Sequence, residues 1–147
     1  MSTSRVSAAI VVDTSAIVAA IFPDQTRHDE CAHILTEVDR RILSPFVVAE
    51  VDYFILQYGD VDIELRFLEQ VATGAYEFAT FTEGDLATAA TVIEQYRSLG
   101  IGLADASIVV LAERHNTHDI LTLDERHFRA MRPLTGRRSF RLLPADA

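Results

Sequence analysis

Asp13 follows the apolar run Ala8-Ala9-Ile10-Val11-Val12 and precedes Thr14-Ser15, and Asp124 follows Ile120-Leu121-Thr122-Leu123 in the same way. A carboxylate placed where a buried strand gives way to a helix points charge into a cleft. Two further acids, Glu50 and Asp105, interrupt otherwise apolar helical stretches, where an unpaired charge costs several kcal/mol. Four acids in such settings require cations. Hard oxygen donors select Mg2+ or Mn2+, whereas zinc prefers histidine and cysteine. Two such ions ~3.5–4 Å apart can activate a water and stabilise the leaving oxygen of an in-line displacement at phosphorus. The chemistry these acids permit is therefore phosphodiester hydrolysis. Taken singly, Asp13, Asp105 and Asp124 are each better explained as helix caps or first-turn acids. Jointly, with an intrahelical glutamate, they are better explained as a site. Periodicity does not separate Glu50 from Asp52, because their helix is apolar on nearly every side.

Other chemistries find no support. All 13 basic residues are arginine, so a Walker-type loop, which needs Gly-Lys-Ser/Thr, is excluded. Dehalogenase-like phosphatases and receiver domains also end strand one in aspartate, but both use an active-site lysine, and the phosphatases would want an acid where Ser15 stands. His28, Cys31 and His33, or His115, His118 and His127, lack closed zinc spacing. Cys31 has no nucleophile motif around it. As a lone cysteine it forms no intrachain disulfide, and the reducing cytosol is the expected location. Val6 to Phe22 could pass for a signal peptide, but Asp13 at its centre argues against one. The net charge is −9, unevenly spread: Arg126 to Arg141 holds six arginines and no acid, whereas residues 1–125 hold seven against 21 acids. The basic segment is a candidate polyanion contact or a solvated tail, with the arginines at 129, 132, 137 and 138 as its candidate contacts.

The elements that must position the acids alternate between short β-branched runs and helical stretches from end to end, a pattern that predicts an α/β fold. At 147 residues and 49% apolar composition one domain is expected. Strands are expected near residues 8–12, over Ile42 to Ser44, Tyr76 to Phe81 and Ile120 to Leu123, with a final edge strand at Phe140 to Leu143. Helices are expected over Thr14 to Ile21, Thr26 to Asp39, Pro45 to Tyr58, Val61 to Thr73, Thr82 (as cap) to Arg97, Leu103 to His115 and Glu125 to Met131. In an open parallel sheet, ligands bind beyond the carboxyl ends of the strands, where Asp13 and Asp124 stand.

Val11-Val12-Asp13-Thr14-Ser15-Ala16, Val48-Ala49-Glu50-Val51, Leu103-Ala104-Asp105-Ala106-Ser107-Ile108 and Leu121-Thr122-Leu123-Asp124-Glu125-Arg126-His127-Phe128 together resemble a PIN domain, and more narrowly a VapC toxin. The resemblance covers almost the whole chain. It implies a three-layer α/β/α fold around a mostly parallel sheet of four to five strands. The implied activity is that of a Mg2+-dependent endoribonuclease, with Mn2+ as a substitute, toxic by cutting RNA and silenced by a VapB-like antitoxin. Asp13 and Asp105 then match the principal metal ligands, and Glu50 and Asp124 complete the quartet, which favours Glu50 over Asp52. Thr14, Ser15 and Thr122 match supporting hydroxyl positions, with helix capping as the alternative role. The family pairs as homodimers, and the apolar helix from Phe46 to Leu56 offers a face for a second subunit or an antitoxin. Residues 1–7 read as an N-terminal extension to a single PIN domain over residues 1–147. A catalytically silent interaction module and a DNA-directed PIN nuclease are the alternatives.

Overall fold

The structure, a computed structural model, describes residues 8–134, 136 and 139–147. The N-terminal extension and the arginines at 137 and 138 lie outside the described residues. Five strands, β1 (Ala9–Val12), β2 (Arg40–Leu43), β3 (Glu77–Phe78), β4 (Asp119–Leu121) and β5 (Arg141–Leu143), form one sheet in the order β3-β2-β1-β4-β5. Every pairing in it is parallel. The helices are α1 (Thr14–Ile21), α2 (His28–Glu37), α3 (Pro45–Tyr58), α4 (Val61–Ala72), α5 (Glu83–Gln95), α6 (Leu103–Arg114) and α7 (Glu125–Ala130). The α/β/α architecture expected from the sequence is thus observed, with the sheet wholly parallel.

The chain walks outward from β1 through β2 to β3, then returns to β4 on the other side of β1. The winding therefore reverses between β1 and β4, and a crevice opens at their carboxyl ends. Ile10, Val11 and Val12 of β1 and Ile120 and Leu121 of β4 are sealed from solvent, as expected of strands covered on both faces. Helix α6 is buried along most of its length, from Ala106 through Ala112, and packs against β1, α3 and α5. A helix apolar all round must be a core helix, and Asp105 rides on its first turn.

Some boundaries differ from expectation for local reasons. Ser44 is not strand but the N-cap of α3, its Oγ accepting from Phe46 N at 3.1 Å. Helix α2 starts only at His28 because Arg27 takes a left-handed φ of 65°. The expected strand from Tyr76 to Phe81 shrinks to two exposed residues on the sheet edge. Its alternation reflects side-chain docking instead, since Phe81 packs edge-on against Phe46, with ring centroids 5.1 Å apart.

Candidate active site

Asp13 occupies the N-cap position of α1 but makes no side-chain cap bond. Its carboxylate accepts instead from Thr122 Oγ1 at 2.7 Å and Ser15 Oγ at 3.1 Å. Ser15 Oγ in turn accepts from Leu123 N at 2.9 Å, and Thr122 Oγ1 accepts from Asp124 N, also at 2.9 Å. These bonds tie the end of β1 to the turn after β4, so two segments more than 100 residues apart hold one carboxylate. Thr14 Oγ1 donates to Glu50 Oε1 at 2.6 Å and joins α3 to the same ring. Thr14, Ser15 and Thr122 therefore hold acids and do not cap helices.

Asp124 does cap: its Oδ1 accepts from His127 N at 3.2 Å at the start of α7. The cap uses one oxygen only. Its Oδ2 faces His127 Nδ1 at 3.0 Å, and Asp105 Oδ2 faces the same nitrogen at 3.2 Å. Asp13, Thr14, Ser15, Glu50, Asp105 and Asp124 all line one cleft of about 390 Å3, together with Val18, Gln25, Phe54, Tyr58 and Leu123. All four acids selected from the sequence thus meet. Asp52 does not: it neighbours Glu64 of α4, whose pKa is raised by the hydrogen bond between them.

Burial corrects one premise. Only Asp13 is deeply buried, Asp105 and Asp124 are half-buried, and Glu50 is exposed at the mouth of the cleft. The charge at Glu50 is stabilised by water and Thr14, so it needs no cation to exist there. Asp13 is different. Desolvation pushes its pKa up to about 6, and the Asp105 charge adds to this, against the lowering effect of its hydroxyl donors. Desolvation likewise raises Asp105, with Asp124 and Glu50 adding to the effect and His127 opposing it.

His127 is the residue that sequence reasoning passed over, having weighed it only with His115 and His118. Those two belong elsewhere: His115 lies against Arg40 and Glu77, and His118 beside Asp119. The available signal was the Asp-x-x-His spacing at a helix start, which places both side chains on one face. Among the described residues, Asp105, Asp124 and His127 are the group whose donor atoms lie within 4.8 Å of one another. Asp13 and Glu50 stand around that group and are not in it. Carboxylates with raised pKa values and a buried nitrogen without a hydrogen bond fit a divalent cation as the missing charge.

A wholly parallel sheet with carboxylates gathered at its switch point defines an α/β protein suited to holding divalent cations in an open acidic cleft. The PIN domain model matches residues 10–132, and the chain belongs to the PIN domain family, within it to the VapC proteins. It is 43% identical over 138 residues to Ribonuclease VapC26 of Mycobacterium tuberculosis, covering 92% of this chain and all of that one. Among solved structures, VapC20 of Mycobacterium tuberculosis, a toxin that cleaves the sarcin-ricin loop, shares the fold with a TM-score of 0.69 at 14% identity. That match covers 76% of this chain and 86% of VapC20. VapBC2 of Rickettsia felis, bound to a DNA fragment from its promoter, aligns with a TM-score of 0.64 at 18% identity, over 86% and 96% of the two chains.

Proposed function

We propose that this chain is the toxin of a type II toxin-antitoxin pair, a divalent-metal-dependent endoribonuclease acting through Asp13, Glu50, Asp105 and Asp124. The observation that carries this reading is the meeting of those four acids in one cleft of a chain 43% identical to a protein named as a ribonuclease. When bound, a divalent ion, Mg2+ or Mn2+, supplies the positive charge that draws a phosphodiester into an acidic cleft and stabilises the charge that builds on its oxygens. The residues do the rest. Thr122 and Ser15 fix Asp13, Asp105 is held on the first turn of a buried helix, and Thr14 turns Glu50 toward the mouth, leaving one of its oxygens to orient water. Along α3 from Glu50, Phe54 and Tyr58 also line the cleft, with rings nearly parallel, 10° apart in plane and 6.0 Å between centroids. Aromatic faces beside a phosphate site suit unstacked bases of single-stranded RNA.

The reading treats residues 1–147 as one PIN domain and sets the enzyme in the cytoplasm, where its RNA and a VapB-like antitoxin are made. Among the described residues no helix is long and apolar enough to cross a membrane. The test is cleavage of single-stranded RNA by the purified chain with Mg2+ or Mn2+. Asp13→Asn should cut activity on the order of a hundredfold or more and relieve growth arrest in cells, with its circular dichroism unchanged. Equal activity in that variant, or cleavage of single-stranded DNA in preference to RNA, would overturn the assignment.

A further inference from the structure

His127 Nδ1 is buried and forms no hydrogen bond, although carboxylate oxygens of Asp105 and Asp124 lie 3.2 and 3.0 Å away. Distance is therefore not what prevents the bond. With both oxygens within reach and no bond formed, the geometry at that nitrogen does not suit a hydrogen bond to either. An imidazole serving only as counter-charge would point its N–H at one carboxylate, since a charge-assisted bond is about twice as strong as a neutral one. Donors that share one ion through bonds of ~2.1 Å at right angles stand ~3.0 Å apart, each lone pair aimed at the common centre. The 3.2 and 3.0 Å separations from His127 Nδ1 match that spacing, in a group whose donor atoms all lie within 4.8 Å of one another.

We infer that His127 is a metal ligand: its Nδ1, with Oδ2 of Asp105 and Oδ2 of Asp124, forms a mixed nitrogen-oxygen subsite that takes a first-row transition ion such as Mn2+ in preference to Mg2+. Imidazole is a softer donor than carboxylate, and Mg2+, a hard ion reluctant to shed water, gains little from it. Helix α7 builds the subsite: the cap bond from His127 N to Asp124 Oδ1 fixes both side chains on one turn and leaves Oδ2 for the ion. The subsite is distinct from the all-oxygen surroundings of Asp13 and Glu50, with Asp105 between the two. This inference rests on the metal-dependent reading above.

Electron spin-echo modulation of the full chain loaded with less than one equivalent of Mn2+ reads it directly. The parent should show 14N modulation from a coordinated imidazole. The signal should vanish in His127→Gln and His127→Ala and persist in His118→Gln. Calorimetry should show Mn2+ affinity falling roughly tenfold or more in His127→Gln, with Mg2+ affinity changing much less. Parent protein that binds Mn2+ without nitrogen modulation would overturn the inference and leave the nuclease reading standing. Parent that binds neither ion would overturn the metal-dependent reading itself. The parent spectrum decides the matter even if a variant fails to fold.

Discussion

Asp13 carries opposed demands, since a ligand must be ionised while its position, only 4% exposed, favours the neutral form. With the folded pKa raised from 3.8 to about 6, the ionised group costs the fold about 3 kcal/mol. The sign follows from proton counts. Between about pH 4 and 6 the native state keeps a proton that the unfolded chain has released, so stability from this group falls as pH rises through that window and stays lost above it. In chelator at pH 7.5, Asp13→Asn should therefore be more stable than the parent, by up to about 3 kcal/mol, and the difference should vanish near pH 4. Urea melts at the two pH values measure this. A saturating divalent ion at pH 7.5 should raise the parent's midpoint more than the variant's, because the variant keeps Asp105, Asp124 and His127 but loses the Asp13 carboxylate. At this scale the acids were legible because a carboxylate ending an apolar run is anomalous. Glu50 drew notice for the wrong reason, since its helix is apolar but the residue faces solvent. His127 stayed hidden because a histidine in a basic, polar stretch breaks no pattern.

Two helices deliver Glu50 and Asp105 to the cleft, and one buried pair of hydroxyls couples them. Ser44 Oγ lies 2.7 Å from Ser107 Oγ, and Ser107 Oγ donates to Ala104 O at 2.7 Å. With the Ser107 proton spent on Ala104, Ser44 must donate to Ser107 while accepting from Phe46 N. The chain of donors leaves no hydrogen unpaired. Ser44→Ala removes the cap of α3 and the donor to Ser107 together, which should cost about 1–2 kcal/mol. Chemical denaturation should show this as a lower midpoint at constant slope. Activity should fall with it, because the spacing of α3 and α6 sets that of Glu50 and Asp105. Most elements were readable in the chain: Pro45 at the first turn of α3 and Thr82 in its capping box with Asp85 are local signals that tertiary structure left intact. Edges were not. β2 begins at Arg40, where guanidinium groups pair with Glu77 and with the carbonyls of Leu35, Val38 and Ala75, partners that no local pattern reveals. The C-terminal basic segment is partly consumed in the same way, with Arg129 bound to Glu125 and Asp146, and Arg141 to Asp119.

The whole molecule presents a further imbalance. Helix α3 gives Val47, Val51 and Ile55 to the core and Glu50, Phe54 and Tyr58 to the cleft, yet its third face leaves Tyr53 59% and Leu56 46% exposed, and α4, which packs on α3, leaves Leu65 58% exposed. Scattered exposed side chains need no explanation, but a stripe repeating along one helix face does. A second copy of the chain is the proposed cover, since a two-fold interface is self-complementary and α3 can pack on its own mate. Charge makes the proposal sharp. Each protomer carries −9, so association works against repulsion that salt screens over a Debye length of ~10 Å at 0.1 M. Raising salt from low to moderate should therefore tighten the dimer, whereas RNA binding should weaken under the same change as counterion release loses its force. Light scattering after gel filtration at two salt concentrations measures the first effect, and Leu56→Glu should leave a monomer in both. A parent that stays monomeric at millimolar concentration in high salt would remove the dimer and leave the stripe for the antitoxin, whose titration against Leu56→Glu would then show the loss instead.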